Sequence, residues 1–125
     1  MGFQELAVFL LAVMFGFAGS VKLFGEPRNV FRSLDRGFFR RYGLTRTQVR
    51  WIGVFELLGV ALLALSFFQK FLIILGALVL LVISLGALGF HLKHDTIREA
   101  APSIVAVVLS LSLTVSNWYM LSLIL

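Results

Sequence analysis

Cysteine is absent from this chain of 125 residues, and charged residues make up only 14% of it. The absence of cysteine excludes disulfides, thiol nucleophiles, iron–sulfur clusters and zinc sites built on cysteine. The shortage of charge excludes a soluble domain, which must cover its surface with polar groups. Apolar residues supply 60% of the chain, against about 45–50% in an ordinary soluble domain, and this excess also excludes disorder. The composition therefore predicts a small membrane protein.

Long apolar runs take the place of the missing polar residues. A helix that crosses a hydrocarbon core of about 30 Å needs about 20 mostly apolar residues. The windows that meet this requirement are residues 6–23, 51–68, 71–90 and 103–125. The runs are continuous rather than alternating, which disfavours barrel strands, and the first lacks the basic flank of a cleaved signal peptide. We predict an all-α, antiparallel four-helix membrane bundle that forms one domain.

Basic residues are unequally distributed between the connections of this bundle. Of the 11 lysines and arginines, only Lys70 lies in the connection between the second and third windows. Loops that stay in the cytoplasm carry an excess of lysine and arginine. An even number of spans places both termini on one side. We therefore predict a multi-pass protein of the cell (inner) membrane with both termini on the outer, periplasmic side.

The connection between the first and second windows has an amphipathic pattern of its own, over about residues 27–42. Its apolar stripe contains, at helical spacing, Phe31, Leu34, Phe38 and Tyr42. Such a helix can lie in the membrane plane with its basic face towards anionic headgroups. The residues that we predict to contact anionic lipid, or else a partner protein, are Arg32, Arg36, Arg40 and Arg41. Nucleic acid is not expected, because the flanking spans hold this segment at a membrane.

Helix starts are indicated by two pairs of residues with the spacing of a capping box. Thr45 and Gln48 form the first pair, which would start the second helix before its apolar window opens. Thr96 and Glu99 form the second pair, ahead of the fourth window. Pro102 is expected near the start of the fourth helix rather than within it, because an interior proline removes a backbone hydrogen bond.

Glu56 is the polar residue that most needs an explanation, because it lies inside the second apolar window. It follows Trp51 by five residues, which at a rise of 1.5 Å per residue is about 7–8 Å below that interfacial tryptophan. A carboxylate that faced lipid there would cost several kcal/mol. We expect Glu56 to face the bundle interior, to be protonated or to find a cation. Gly53 and Gly59 flank it and predict a face on which another helix can pack closely.

Lys22 and His91 are the candidate partners of Glu56, since each ends an apolar window on the predicted inner side. The topology places all three in one layer of the inner leaflet. Lys22, Glu56 and His91 are therefore our candidate intramembrane polar or ligand site. Two simpler interpretations stay open. Lys22 and His91 can mark the headgroup boundary by snorkelling, and a pair of Lys22 with Glu56 can serve only to fix helix register.

The remaining polar residues do not indicate a catalytic or metal-binding site. Asn117, in the outer half of the fourth window, predicts a hydrogen bond between helices rather than a functional group. His91 and His94, beside Asp95, have a spacing that recurs by chance, so no metal site is expected. The sequence contains no glycine-rich phosphate loop and no serine elbow, and we assign no catalytic residue. The chain alone is not expected to be an enzyme.

Three short segments together resemble a known family. They are residues 19–25 (GSVKLFG), 52–59 (IGVFELLG) and 86–91 (GALGFH). In order, spacing and side of the membrane they resemble the DoxX-like family of small four-helix membrane proteins, over nearly the whole chain. The resemblance matches Lys22 to the lysine of the family's Gly-x-x-Lys-Leu element, Glu56 to its intramembrane glutamate and His91 to the polar residue that ends the third helix. The first inner loop is longer and richer in arginine than in the simplest members.

The resemblance implies a broad range of functions. Some relatives are described as subunits of quinone-linked sulfur oxidation or of membrane oxidoreductase complexes, and distant eukaryotic relatives assist receptor assembly. One hypothesis is a non-catalytic subunit, anchor or assembly helper, with another membrane protein or a second copy of this chain as its partner. The other is a redox-complex subunit in which Lys22, Glu56 and His91 hold a quinone headgroup or pass a proton, with electrons supplied by a partner. We favour the first slightly, because it requires nothing that the sequence lacks.

Overall fold

The computed structural model describes residues 2–25, 28, 32, 43–94 and 97–124, with residues 97–99 and 123–124 described by their backbone alone. Within these residues the regular secondary structure is all helical, and there is no strand. The long helices are α1 (Phe3–Phe24), α2 (Arg46–Leu65), α3 (Leu72–His94) and α4 (Ile97–Ser116). A 3₁₀ turn (Trp118–Met120) and the short helix α5 (Leu121–Ile124) follow. The prediction of an all-α four-helix membrane bundle is confirmed.

The predicted loop helix at residues 27–42 lies outside the described residues, apart from two positions. Arg28 and Arg32 are helical and exposed. The predicted contacts of Arg32, Arg36, Arg40 and Arg41 with lipid or a partner protein therefore stay predictions.

Three of the long helices, α1, α2 and α3, are each long and apolar enough to cross a membrane. The apolar part of α4 is shorter, at Ala100–Ser116. The fourth window, drawn at 103–125, is thus not one continuous helix: α4 ends at Ser116, and Asn117 leaves the helical conformation with φ −114° and ψ 13°. Side chains such as asparagine compete for backbone hydrogen bonds, and the Asn117 amide donates to the Leu113 carbonyl at 2.8 Å.

Asn117 also makes the predicted contact between helices. Its side-chain amide donates a hydrogen bond of 3.3 Å to the Gln4 side chain on α1, and the residue is only 3% exposed. The predicted hydrogen bond between Asn117 and another helix is confirmed. The bond joins the first helix to the end of the fourth.

Consecutive helices lie side by side in this bundle. α1 packs on α2, α2 on α3, and α3 on α4, whereas α1 and α4 touch over a much smaller region. The connection between α2 and α3 is tight but longer than Gln69 and Lys70 alone, because α2 ends at Leu65 and α3 begins at Leu72. The largest apolar side chains that are fully buried include Leu11, Leu63, Ile74, Leu80 and Leu113.

The helix starts follow the capping prediction at one of the two places. The Gln48 backbone donates to the Thr45 hydroxyl at 3.1 Å, and the Thr45 backbone donates to the Gln48 side chain at 2.9 Å, which confirms the first capping box. The second box, at Thr96, lies outside the described residues. Pro102 was expected near the start of the fourth helix but lies inside α4, which begins five residues earlier, at Ile97.

Glycines set the spacing of the first three helices. A Cβ atom at Gly53 would lie 2.7 Å from the carbonyl oxygen of Gly19, so the backbones of α1 and α2 touch there. A Cβ atom at Gly76 would lie 3.0 Å from the carbonyl oxygen of Gly59, so α2 and α3 are almost as close. Between lipid tails, helices associate mainly through close packing of this kind. The two glycines that flank Glu56 thus pack against different neighbours.

Replacing Gly53 with alanine is expected to destabilise the bundle, because the added methyl group would overlap the Gly19 carbonyl and push α1 away from α2. Overpacking of this kind typically costs about 1–3 kcal/mol. The measurement is the melting temperature in detergent micelles, followed by far-UV circular dichroism. Gly16→Ala on α1 is the matched control, since a Cβ atom there meets nothing within 4 Å. Equal losses in the two variants would contradict the proposed importance of the contact.

Candidate functional site

Glu56 and Lys22 form an ion pair between α2 and α1. The Lys22 ammonium donates a hydrogen bond to Oε1 of Glu56, and the lysine and glutamate side chains are 17% and 1% exposed. We expected Glu56 to face the bundle interior, to be protonated or to find a cation. In the structure it faces the interior and contacts a cation, Lys22. Within an apolar bundle such a pair is far less screened than on a surface in water.

Helix geometry explains why Lys22 reaches Glu56 although it stands in the last turn of α1. The Cα–Cβ bonds of an α-helix tilt towards its N-terminus, so the Lys22 side chain points back into the bundle. A Cβ atom at Gly53 would lie 3.0 Å from Cβ of Lys22, and one at Gly19 would lie 3.1 Å from Cβ of Glu56. The glycine contact therefore brings the two charged side chains into reach of each other.

Arg46 fixes the end of the helix that carries Lys22. Its guanidinium donates to the carbonyl oxygens of Lys22 at 2.5 Å and Leu23 at 3.3 Å. The last carbonyls of a helix have no partner within it, and a cation there also interacts well with the helix dipole. Gly25 ends α1 in the left-handed region, at φ 71°. The sequence pattern counted Arg46 only as one of many basic residues and missed this role.

The second oxygen of the Glu56 carboxylate, Oε2, is buried and has no hydrogen-bond partner among the described residues. An unpaired buried acceptor costs about 1–3 kcal/mol, and more when the group is charged. Buried polar groups without a partner are rare in folded proteins and call for a specific explanation. A bound molecule with an O–H or N–H group could supply the missing hydrogen bond.

Glu56 also lines a cavity of about 550 Å³ that is partly open to the surface. All four long helices contribute to its wall, which is mostly apolar. The polar lining residues are Lys22, Glu56, Ser84, His91 and Ser103. Small-molecule pockets in proteins have volumes of about 300–1,000 Å³ and the same combination of apolar walls with a few polar groups.

His91 completes the group of residues that the sequence analysis placed together. It lines the same cavity as Lys22 and Glu56 and is partly buried, near the end of α3. His94 stacks on Phe90, with ring centroids 6.4 Å apart, and Phe90 is also a lining residue. Asp95, the other residue weighed for a metal site, lies outside the described residues.

Two serines in the cavity wall were missed as site residues. Ser84 on α3 is 1% exposed and donates its hydroxyl proton to the Leu80 carbonyl at 2.6 Å. Ser103 on α4 is also buried. Ser84 precedes His91 by seven residues, a helical spacing that puts both on one face of α3, but no feature of the sequence predicts that α4 lies beside that face.

The helix segments that carry these residues lie within a region that matches a known protein family. A model of the DoxX-like family matches residues 6–113, a range that contains Lys22, Glu56, Ser84, His91 and Ser103. The chain belongs to the DoxX-like family. No curated protein and no solved structure gave a significant match. The resemblance drawn from the three short segments is thus confirmed, and the cavity lies wholly within the DoxX-like region.

Removing the cation from the pair is expected to destabilise this DoxX-like bundle strongly. Lys22→Met leaves a buried carboxylate without its partner, a change that typically costs about 3–5 kcal/mol. The double variant Lys22→Met/Glu56→Gln should recover most of that loss, because no charge then stays buried. The measurement is the free energy of unfolding in mixed micelles.

Lys93→Met is the control for this pair, since it removes a lysine at an exposed position of the third helix. It should change the free energy of unfolding by no more than about 0.5 kcal/mol. A double variant as unstable as Lys22→Met alone would contradict the role of the ion pair.

Proposed function

We propose that this DoxX-like membrane protein binds the headgroup of an isoprenoid quinone in the cavity at Lys22, Glu56 and His91, as a subunit of a membrane redox complex. The observation that carries the proposal is the cavity of about 550 Å³, which is lined by a buried carboxylate whose Oε2 has no hydrogen-bond partner in the described part of the chain. A subunit that only held the bundle together would need neither. This reverses the slight preference for a non-catalytic helper that the sequence alone gave.

The cavity suits an amphiphilic ligand with a small polar head. Its apolar wall includes Met14, Phe15, Ile83 and Phe90, against which a ring or a prenyl chain can pack. Its polar groups are few, and they include the Lys22–Glu56 pair. A ligand that is already dissolved in the bilayer need not leave it to reach such a site.

A quinone supplies two-electron chemistry coupled to protons. Lys22 can donate hydrogen bonds to a ring oxygen, and Glu56 and His91 are side chains that can exchange protons with it. The chain contains no cysteine to hold an iron–sulfur cluster, so we assign the source of electrons to a partner protein. In this arrangement the subunit positions the headgroup and its protons.

The basic loop is the proposed contact to anionic headgroups or to that partner. Arg28 and Arg32, the two residues of the segment that the structure describes, are both exposed. Each basic residue near an anionic surface contributes about 1 kcal/mol of attraction. The loop joins α1 to α2, the two helices that carry the ion pair.

Quinone retention tests the proposed function. The protein is purified in mild detergent, extracted with organic solvent and assayed for quinone per chain by mass spectrometry. Gly86→Phe should lower the quinone content severalfold, because Gly86 lines the cavity and a Cβ atom there meets nothing within 4 Å, so the ring can occupy the space. The substitution leaves the ion pair intact.

Gly89→Phe is the matched control for quinone retention. Gly89 lies on the same helix, a Cβ atom there also meets nothing within 4 Å, and the residue does not line the cavity. This variant should keep the wild-type quinone content. Equal quinone content in wild type, Gly86→Phe and Gly89→Phe would overturn the proposal and favour the anchor or assembly helper.

We also propose that the cavity lies in the inner leaflet, with both termini outside. A single cysteine can be labelled uniquely, because the chain has none of its own. Gln69→Cys, in the turn between α2 and α3, should react with an impermeant maleimide in intact right-side-out vesicles. Thr47→Cys, exposed at the start of α2, should react only after the vesicles are disrupted. The opposite pattern would reverse the orientation.

A further inference from the structure

The unpaired oxygen of Glu56 determines which ligands suit the cavity. Lys22 already donates to Oε1, and a carboxylate in an ion pair with an ammonium only accepts hydrogen bonds. Oε2 is buried and has no donor among the described residues. A ligand that supplies an O–H or N–H group to Oε2 would therefore satisfy this buried acceptor, whereas a carbonyl oxygen of a ligand at the same position would place acceptor against acceptor.

Ser84 has the same polarity towards the cavity. Its hydroxyl proton is donated to the Leu80 carbonyl at 2.6 Å, so its oxygen can offer a ligand lone pairs but not that proton. Ser84 and Glu56 are both among the lining residues, on neighbouring helices. Two of the buried polar groups of the wall thus act as acceptors.

The carboxylate can present its free oxygen without disturbing the helices. The last torsion of a glutamate side chain is broad, so the group can turn while Lys22 keeps one oxygen. The lining side chains near it include Ala18 and Ile52, which are not large aromatic groups. A ring hydroxyl that enters the cavity can therefore approach Glu56 with a small local adjustment.

We propose that the cavity selects the reduced, hydroxylated form of its ligand, a hydroquinone, through a hydrogen bond from a ring hydroxyl to Oε2 of Glu56. This inference rests on the proposed function and adds a preference between two redox forms of one ligand. Hydrogen bonds to a charged acceptor are among the strongest in proteins, and one such bond corresponds to a preference of about tenfold or more. Glu56 is then the specificity-determining residue of the site.

The first experiment compares the two redox forms by binding alone. Decylubiquinol, kept reduced under anaerobic conditions, and decylubiquinone are titrated into the purified full-length protein, and the dissociation constants are measured by calorimetry. The quinol should bind about tenfold more tightly or better. Equal binding, or tighter binding of the quinone, would overturn the selection of the reduced form while leaving the proposed function intact. No binding of either form would overturn both.

The second experiment uses probes that have no redox chemistry. 4-Octylphenol and its methyl ether share a ring and a tail, and they differ in the one hydroxyl hydrogen that can be donated. The phenol should displace bound decylubiquinol at a concentration about tenfold lower than the ether does. Equal potency of the two probes would contradict a donor requirement. This comparison needs no variant, so it does not depend on whether a mutant folds.

Variants assign the preference to Glu56. In Lys22→Met/Glu56→Gln the neutral pair keeps no charged acceptor. The ether should then need a concentration no more than about threefold higher than the phenol to displace decylubiquinol. Gly89→Phe, outside the cavity, should keep the wild-type ratio. If the double variant still bound the phenol about tenfold more tightly than the ether, another residue would accept the hydrogen bond, and the assignment to Glu56 would be wrong.

Discussion

A carboxylate buried among apolar helices is unstable without a cation, and the bundle meets this constraint by pairing Glu56 with Lys22. Moving an isolated charge out of water costs far more than the few kcal/mol by which a protein is stable. The other features of the site follow from that pairing. The α1 and α2 backbones must touch at Gly19 and Gly53, and the end of α1 must be held in place, as Arg46 does.

The ion pair uses only one of the two carboxylate oxygens of Glu56, and the proposed ligand site depends on the other. Register could be fixed by a pair whose oxygens were all bonded to protein, because every buried polar atom would then be satisfied. In this bundle Oε2 is not satisfied by any described residue, and Glu56 is one of the residues that line the cavity. A buried acceptor of this kind is one that binding can stabilise, because a ligand whose donor reaches it supplies the missing hydrogen bond.

Much of this could be predicted from the sequence, because the signals were local or set by topology. The apolar windows, the capping box at Thr45 and the side of the membrane shared by Lys22, Glu56 and His91 are of this kind. The cavity was not predictable, because it depends on how far apart α1 and α4 lie, and four apolar windows do not encode the distance between the first and the last. The break at Asn117 was hidden for a related reason: the apolar pattern continues past it, although the Asn117 side chain bonds the Leu113 carbonyl and the Gln4 side chain there.

The position of the cavity follows from where α1 and α4 meet. The first half of α1 contributes Ala7, Val8 and Leu11 to the same buried cluster as Leu109 and Leu113 of α4, close to the Gln4–Asn117 hydrogen bond. The second half of α1 lines the cavity from Met14 to Lys22, opposite the beginning of α4. α1 and α4 touch over a much smaller region than consecutive helices do, and the Gln4–Asn117 hydrogen bond joins them at one end. The charged pair stands at the other end, so the polar atoms that a ligand needs and the space to admit it occur together.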